Sequence, residues 1–437
     1  QGDASTGYLD RCADPESAGV VGVRKKVILT STGPQVLVGV ACAACHAGLD
    51  PQNPPADPNH PAWENIHATT GNQYIQIGKL FGGHLSPHDP RKQVFDTWAP
   101  GTVDTTAIES DGINNPGIIT QFFDLPNRPY FNLTDHGMPI SVHRAGQGGE
   151  DDVGCEKAAL RVYFNIGMCA AECMVPHLAN GPGGTQTPID DAECTARCPQ
   201  YLEAKAAVTD ECAFMASQTP AHLADAPGGD AFIDHSKVAR GRTVFNQRCA
   251  GCHSNGQSEA NNILSDDLIH PMADIGTNSC RARTTNWAGG HIWANFSSDQ
   301  YKGRPTGGPN FYRDVPLQSV WATAPFFHNN RLGSYNGDPS VAGRIAAYAD
   351  AMDQLLNPWK RDYLGSIQKT SDSITVAASG ISLTLPAGTP VALFANLDPA
   401  NPLHNLCPDL LENQGHIYGW DLSARDKDAI TEYLKTK

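Results

Sequence analysis

Long apolar runs and an excess of basic residues are both missing from this chain of 437 residues. A transmembrane helix needs about 18 or more consecutive apolar residues, and the longest candidate, residues 36–44, is too short to cross a bilayer. The chain has 31 lysines and arginines against 46 aspartates and glutamates, which gives a formal net charge of −15. Nucleic acid requires a basic face. We therefore expect no membrane span and no nucleic-acid partner, and the charge favours basic proteins or cationic surfaces.

Two copies of the motif Cys-x-x-Cys-His are the most informative feature that is present. They occupy residues 42–46 and 249–253. Two thiols at this spacing can add across the two vinyl groups of one haem, and the histidine that follows is placed to bind the iron. A disulfide or a zinc clip is the alternative, but neither motif has a second Cys/His pair nearby to complete a tetrahedral site. We predict covalent haem c at Cys42 and Cys45 and at Cys249 and Cys252, with His46 and His253 as proximal ligands.

The cellular compartment follows from this chemistry, because haem is attached to such motifs only after export. We expect a protein of the periplasm, the cell surface or the extracellular space. The sequence starts at Gln1 without a basic, apolar leader, so we expect that a signal peptide has been removed.

Nine cysteines remain outside the two motifs, an odd number that leaves at least one thiol unpaired or paired outside the chain. They are Cys12, Cys155, Cys169, Cys173, Cys194, Cys198, Cys212, Cys280 and Cys407. The pairs 169/173 and 194/198 are each spaced by four residues, so each pair would lie on one face of a helix. Because an oxidising compartment favours disulfides over a metal site, we predict two helices stapled by two disulfides, the first helix ending near Pro176.

The predicted fold class is mainly α, with two cytochrome c-like domains, long loops and a small β-hairpin insertion. The two motifs divide the chain nearly in half, and residues 217–229 have the proline and glycine content of a linker. We place the first haem domain, with its disulfide-stapled helical insertion, at residues 1–225, and the second at 226–437. The 42 glycines and 32 prolines indicate long ordered loops between short helices.

Local patterns predict individual elements. The predicted helices are residues 114–123, 156–173, 234–248 and 422–434, the last of them capped by Ser423. The third runs directly into the second motif, as a cytochrome c domain begins. Residues 25–40 are rich in β-branched side chains and predict an extended segment, and residues 373–394 predict a hairpin.

The sixth ligand of each iron decides the function, because an open iron binds oxygen or peroxide whereas a second histidine or methionine makes an electron carrier. For the first haem, the candidates are His60, His67, His84, His88 and His143. For the second haem, the candidates are His270, His291, His328, His404, His416, Met272 and Met352.

Three segments resemble the bacterial dihaem cytochrome c peroxidase superfamily. Residues 315–330, V-P-L-Q-S-V-W-A-T-A-P-F-F-H-N-N, are similar to its "P-x-L-R-N-V…T-A-P-Y-x-H-D-G" segment. Residues 114–123, N-N-P-G-I-I-T-Q-F-F, resemble "R-N-A-P-T-L-x-N-A-x-F", and residues 421–437 resemble the closing "L-S-x-x-D-K-x-A-L-I-x-Y-L-K-T". The order of the segments and the interval between the haem motifs are most similar to the rubber-oxygenase branch.

The resemblance implies two cytochrome c-like domains in contact. In the rubber-oxygenase branch a histidine shortly before the terminal helix closes the second haem, and His416 has that place here, whereas the peroxidases' methionine would correspond to Met352. The distal side of the first haem would hold Phe164 near the iron, and the family's calcium would correspond to Asn115 and Pro316. No histidine lies between His88 and His136, so the movable distal histidine of the peroxidases has no counterpart.

Two functions follow from these alternatives. The first is a dihaem electron carrier that exchanges electrons with redox partner proteins. The second is an oxidoreductase acting on oxygen or peroxide, in which the first haem is the active site and the second relays electrons. A third role, as part of an oligomer or larger assembly, fits the odd number of cysteines.

Overall fold

The computed structural model describes residues 22–68, 70–104, 113–114, 116–119, 155–165, 168–179, 185–254, 264, 269–281, 292, 294–296, 311–314, 316–378, 381–395 and 409–437. The described chain is mainly helical, as predicted. Its helices are α1 (Ala43–His46), α2 (Ile77–Gly82), α3 (Pro90–Phe95), α4 (Cys155–Asn165), α5 (Asp191–Arg197), α6 (Pro199–Ala216), α7 (His235–Arg248), α8 (Ala250–His253), α9 (Met272–Ile275), α10 (Val341–Leu356), α11 (Tyr363–Ser366) and α12 (Ala424–Lys435). None of them combines the length and the apolar character that a bilayer-spanning helix requires.

The strands of the described chain form antiparallel pairs rather than one large sheet. They are β1 (Val23–Thr30) with β2 (Gly33–Val40), β3 (Ala47–Leu49) with β4 (Ile66–Ala68), β5 (Thr102–Val103) with β6 (Gly117–Ile118), β7 (Leu178–Ala179) with β8 (Thr185–Gln186), β9 (Ile269–Pro271) with β10 (Phe311–Arg313), and β11 (Ile374–Ala378) with β12 (Ile381–Leu385). The predicted extended segment 25–40 and the predicted hairpin within 373–394 are both confirmed, the first as the hairpin β1–β2.

Helices α4, α5 and α6 pack into a separate apolar cluster that carries the predicted disulfide staple. Cys169 is bonded to Cys198, with their Cα atoms 5.9 Å apart. The second predicted bond is not formed: Cys173 and Cys194 are free thiols that form a hydrogen bond with each other. Cys212 and Cys280 each take part in a disulfide as well.

The predicted helix over residues 156–173 is correct only in its first part. Helix α4 ends at Asn165, and a separate π-helical turn, Ala170–Met174, follows. Cys169, the residue before that turn, has φ +53°, a left-handed conformation that cannot continue an α-helix. Apolar periodicity predicted one continuous helix because it contains no signal for this break.

A second core forms around α7, α10 and α12. The side chains of Asp234, Ser340 and Ser423 accept hydrogen bonds from the first turns of these three helices, so each helix begins at a capping residue. Helices α7 and α12 cross at Gly241, where an added Cβ would lie 2.0 Å from the Ala429 carbonyl oxygen. The predicted helices over 234–248 and 422–434 are thereby confirmed. Because α7 ends directly before the second motif, its packing against α12 fixes the position of that motif.

The segment predicted as a linker, residues 217–229, belongs to this second core. Ala221, Leu223 and Ala226 are all buried. The Ala221 N–H donates to Ser319 Oγ at 2.8 Å, and the fully buried Trp321 indole N–H donates to the Ala221 carbonyl at 2.9 Å. The proline and glycine content indicated a flexible connection, but the apolar residues between them are held by packing.

The predicted helix over residues 114–123 is wrong where the structure describes it. Residues 117–118 are strand β6, paired with β5. The Ile118 N–H donates to the His328 carbonyl at 2.7 Å, and the Ile119 N–H donates to the Gly101 carbonyl at 2.9 Å. Hydrogen bonds to distant parts of the chain therefore replace the helical ones. Residues 115 and 120–123 lie outside the described residues.

Candidate functional site

The two Cys-x-x-Cys-His motifs share one local conformation. In the first, the N–H groups of Cys45 and His46 donate to the Cys42 carbonyl, at 3.1 and 2.8 Å. In the second, the N–H groups of residues 252 and 253 donate to the Cys249 carbonyl, at 3.1 and 3.0 Å. Each motif is therefore a single helical turn that presents two thiols and a histidine together, as attachment of one planar cofactor requires.

A cavity of about 480 Å³ lies against the second motif. Its wall includes the motif residues Cys249, Cys252 and His253, together with Met352 and His416. This volume is within the range of small-molecule and cofactor sites, about 300–1,000 Å³. The cavity thus brings the predicted attachment residues together with both alternative sixth ligands, which are far apart in the sequence.

The imidazole rings of His253 and His416 lie close together in the wall of this cavity. Their centroids are 6.3 Å apart and the ring planes are inclined by 58°. A bond from a metal to an imidazole nitrogen is about 2.0–2.1 Å long, and the ring centre lies ~1.1 Å beyond the nitrogen, so two imidazoles on opposite sides of one metal have centroids about 6.2 Å apart. The observed separation fits two ligands of a single ion.

His416 is held in an uncommon backbone conformation. Its φ is +44°, that of Gly415 is +77°, and the His416 N–H donates to the Ile275 carbonyl at 2.7 Å. A Cβ on Gly415 would lie 2.1 Å from the Gly276 carbonyl carbon, so only glycine fits there. Burial lowers the pKa of His416 to about 4, which keeps the imidazole neutral, as a metal ligand must be. Its buried Nδ1 has no hydrogen-bond partner within the part of the chain that the structure describes.

A carboxylate lies beside the opposite histidine. Asp314 Oδ2 is 3.7 Å from His253 Nδ1, and the Phe245 ring lies 6.2 Å from the His253 ring. A carboxylate near the outer nitrogen of a ligating histidine orients the ring and increases its basicity. Sequence reasoning missed Asp314, which belongs to no motif and lies far from His253 along the chain.

Arg361 is the second residue that the sequence did not reveal. Its side chain is 5% exposed and donates to the carbonyls of Asn413 and Gly415, at 3.0 and 2.6 Å. The guanidinium carbon also lies 5.6 Å from the centroid of the Phe327 ring, which is 6.3 Å from that of the His416 ring. No local pattern distinguishes Arg361 from a surface arginine, so no sequence signal could have found it.

Of the other candidate ligands of the second site, Met352, His328 and His270 also line the cavity, whereas Met272 does not, and His291 and His404 lie outside the described residues. Met352 is 2% exposed and belongs to the second core. The His328 ring stacks on Tyr312 with centroids 4.6 Å apart, and its Nε2 is 3.2 Å from the Tyr312 hydroxyl. Burial, and secondarily the charge of Arg281, lowers the pKa of His328 to about 3. His328 is thus a neutral histidine with a hydrogen-bonded ring, whereas the His416 ring lies close to that of His253.

The first motif lies between an apolar cluster and the helical insertion. Cys45 is partly buried and packs against the apolar cluster of Ile77, Trp98 and Ile119. Burial raises the pKa of the Cys42 thiol to about 12, and the nearby Glu211 adds to the effect.

Among the candidate sixth ligands of the first haem, His67 lies nearest to the motif along the sheet. It is half-buried in strand β4, opposite Gly48, two residues after His46, and its Nδ1 is 3.0 Å from the Thr70 hydroxyl. His60, His84 and His88 are exposed. His143 lies outside the described residues.

The structure places Phe164, the predicted distal residue of the first haem, in the packed core of the helical insertion. It is fully buried, stacked on Tyr201 with centroids 5.5 Å apart and edge-on to Phe296 at 5.7 Å. Sequence reasoning missed the neighbouring contact, in which the Tyr163 hydroxyl donates to Glu211 at 3.4 Å, beside Cys42.

The predicted calcium ligands are not seen together. Asn115 lies outside the described residues, whereas Pro316 is buried and lines the cavity at the second motif. Among the described residues, no group of three or more His, Cys, Asp or Glu side chains is arranged to hold a metal ion. The calcium assignment therefore remains an expectation from resemblance.

Comparison with known proteins adds no relative to these observations. The chain matches no protein-family model, no curated protein and no solved structure.

Proposed function

We propose that this protein is an exported dihaem c-type cytochrome that carries electrons in the periplasm or at the cell surface. The observation that carries the proposal is the His253–His416 pair, whose ring centroids are 6.3 Å apart across a cavity lined by Cys249 and Cys252. Two histidines and no open position are the ligand set of an electron carrier.

The residues present at the second motif fit a haem. The cavity has a suitable volume, the two cysteines lie on one helical turn, and burial keeps His416 neutral. When bound, the haem supplies a one-electron couple. The chain's own residues orient the two imidazoles, exclude water from them and hold a carboxylate, that of Asp314, beside the proximal ring.

Absorption spectra of the purified protein test this proposal. We expect two covalent haems per chain, a second haem with a low-spin spectrum in both oxidation states, and no cyanide or carbon monoxide binding there. In His416→Ala, the second iron loses its sixth ligand and should turn high-spin and bind both reagents.

His328→Ala is the matched control, since it removes another buried histidine of the same cavity and should leave the spectrum low-spin. If Met352→Ala opens the iron and His416→Ala does not, the methionine of the alternative assignment is the ligand. Absence of covalent haem from the second motif would overturn the proposal as a whole.

An oxidoreductase with its active site at the first haem is the second candidate. It is favoured by the exposure of His60, His84 and His88, which leaves the half-buried His67, paired with Gly48 just after the motif, as the remaining described candidate. If His67 does not reach the iron, the first haem is open to oxygen or peroxide.

The spectrum of the first haem distinguishes the two candidates. A high-spin first haem in the native protein, with peroxide-dependent oxidation of the second haem, would support the oxidoreductase. A low-spin first haem that becomes high-spin in His67→Ala would support the electron carrier.

The remaining parts of the proposal concern family, domains and partners. We infer membership in the dihaem peroxidase superfamily from the three motif segments, with two cytochrome c-like domains that meet near residue 225. Redox partner proteins with a basic face would be attracted by the net charge of −15. Disulfides such as Cys169–Cys198 are compatible with an oxidising compartment. Assembly with further copies is compatible with the odd cysteine count.

A further inference from the structure

We propose that Arg361 is a positioning residue for the second haem: its buried guanidinium holds the loop that carries His416 and raises the reduction potential of that haem. The inference rests on the proposed function, since it needs a haem between His253 and His416. It concerns the chain's own residues and is argued from their contacts.

The hydrogen bonds of Arg361 connect the end of one helix to the ligand loop. On the helix side, its Nε donates to the Gln354 carbonyl at 2.9 Å and its Nη2 to the Leu355 carbonyl at 3.3 Å. On the loop side, its Nη1 donates to the carbonyls of Asn413 and Gly415, at 3.0 and 2.6 Å. A rigid planar fork is suited to holding two segments at fixed spacing, which the flexible ammonium of lysine is not.

The loop that is held has an unfavourable conformation of its own. Gly415 and His416 both have positive φ, which is unfavourable for a residue with a side chain and persists only when its surroundings enforce it. The Arg361 hydrogen bonds to Asn413 and Gly415 end directly before His416, and Nη2 lies 3.4 Å from the His416 carbonyl oxygen. Arg361 therefore supplies part of the constraint that keeps the imidazole close to that of His253.

No carboxylate among the described residues pairs with the buried guanidinium of Arg361. Its side chain is 5% exposed, its guanidinium donates to the carbonyls of Gln354, Asn413 and Gly415 and lies against the Phe327 ring, and it also forms a hydrogen bond with the Tyr363 side chain. Arginine stays protonated in proteins. A positive charge that is neither screened by water nor neutralised favours the reduced, less positive state of a nearby iron, so it raises the reduction potential.

Arg344 provides a matched control in the same molecule. It is 4% exposed, donates to the carbonyls of Ala322 and Leu49, and lies 5.1 Å from the Tyr74 ring, so its burial and bonding resemble those of Arg361. It makes no hydrogen bond to the loop that carries His416. The variant Arg344→Gln therefore shows how removal of any buried arginine changes the reduction potential and cyanide binding of the second haem.

The experiment uses the full-length protein with both haems attached and compares Arg361→Gln, Arg361→Lys and Arg344→Gln. Potentiometric titration measures both reduction potentials, and the second haem is identified as the one whose spectrum changes in His416→Ala. Cyanide binding to the oxidised protein measures how readily the His416 loop opens.

We expect Arg361→Gln to shift the reduction equilibrium of the second haem about tenfold towards the oxidised state, which is about 59 mV for a one-electron couple. Arg361→Lys keeps the charge and should retain most of the potential, but it should bind cyanide at the second haem, which the native protein does not, because the fork is lost. Arg344→Gln should change neither quantity at the second haem.

The proposal is overturned if Arg361→Gln leaves the second potential unchanged and, like the native protein, binds no cyanide at the second haem, or if Arg344→Gln shifts both equally. If Arg361→Gln does not accumulate with haem attached, Arg361→Lys decides, and a second haem that still binds no cyanide would overturn the proposal. Failure of the proposed function itself is seen earlier and separately, as a native protein without haem at the second motif or with a second iron that binds cyanide.

Discussion

At the scale of single residues, backbone strain is concentrated around one cavity. Phe327, Asn330 and His416 have φ values of +70°, +52° and +44°, and all three line the cavity at the second motif. Each is fixed by contacts made elsewhere; the Asn330 amide, for example, donates to Gln73 and to the Pro100 carbonyl. Strained residues persist when their surroundings determine them, and they cluster at functional sites. The cavity wall is therefore built to keep its shape before any ligand enters.

Glu412, beside this wall, gives a residue-scale prediction of pH dependence. Burial raises its pKa to about 7, although Arg331 and the hydrogen bond from the Asn329 amide at 2.8 Å act in the opposite direction. Because the pKa in the folded protein exceeds that of an exposed glutamate, stability is highest below about pH 4.5 for this group and falls as the pH rises towards 7. We expect Glu412→Gln to remove this loss, which is about 3 kcal/mol.

The measurement is the free energy of unfolding in urea at pH 5 and at pH 8 for the native and variant proteins. Glu203→Gln, at an exposed position of α6, is the control and should leave the pH dependence unchanged. Equal pH dependence in the native protein and Glu412→Gln would contradict the argument.

At the scale of elements, the sequence correctly predicted the helices and strands that local signals determine. Helix α7 was predicted from its apolar periodicity, α12 from its capping residue Ser423, and β11–β12 from β-formers that alternate with glycine and proline. The segment at residues 117–118 was mistaken for a helix because its hydrogen bonds go to β5 and to His328, which lie far away in the sequence. His416 was found through resemblance, whereas Arg361 and Asp314 act only through tertiary contacts that have no local signature.

The crossing of α7 and α12 gives an element-scale prediction. An alanine Cβ at position 241 would lie 2.0 Å from the Ala429 carbonyl oxygen and 2.6 Å from the Tyr433 Cβ, so the helices must separate. We expect Gly241→Ala to lower the free energy of unfolding by about 1–3 kcal/mol, despite the better helix propensity of alanine. Thermal and urea unfolding measure the effect.

Gly39→Ala is the control for that substitution, since an added Cβ there meets no atom within 4 Å. A Gly241→Ala protein as stable as the native one would mean that the two helices can move apart without loss.

At the scale of the whole molecule, buried contacts join the two halves of the chain. Asp104 Oδ1 and Arg281 Nη1 are 3.1 Å apart, and both side chains are almost fully buried. Arg344 donates to the Leu49 carbonyl at 2.9 Å, just after the first motif, and the Asn330 amide donates to Gln73. The boundary near residue 225 thus separates two parts of the sequence whose described residues share a polar, buried contact surface.

The Asp104–Arg281 pair gives the prediction at this scale. Arg281→Met removes the guanidinium from a buried carboxylate, and breaking a buried ion pair from one side costs about 3–5 kcal/mol. We expect a loss of that order in the free energy of unfolding, partly restored in the double variant Asp104→Asn with Arg281→Met. The exposed pair of Asp89 and Arg91 is the control, and Arg91→Met should cost less than about 1 kcal/mol. An equal loss in the free energy of unfolding for Arg281→Met and Arg91→Met would contradict the expected difference between the buried and the exposed ion pair.

The wide sequence separation of His253 and His416 has a consequence for the order in which the second site matures. The thiols of residues 249 and 252 come together on one local turn, whereas His416 reaches the cavity only after a long loop closes, and such closure is slow. On the proposed function, covalent capture of the cofactor precedes completion of its coordination. If haem is attached there, the newly made chain would hold it through His253 before His416 arrives, and completion of folding would then limit its reactivity towards oxygen or peroxide.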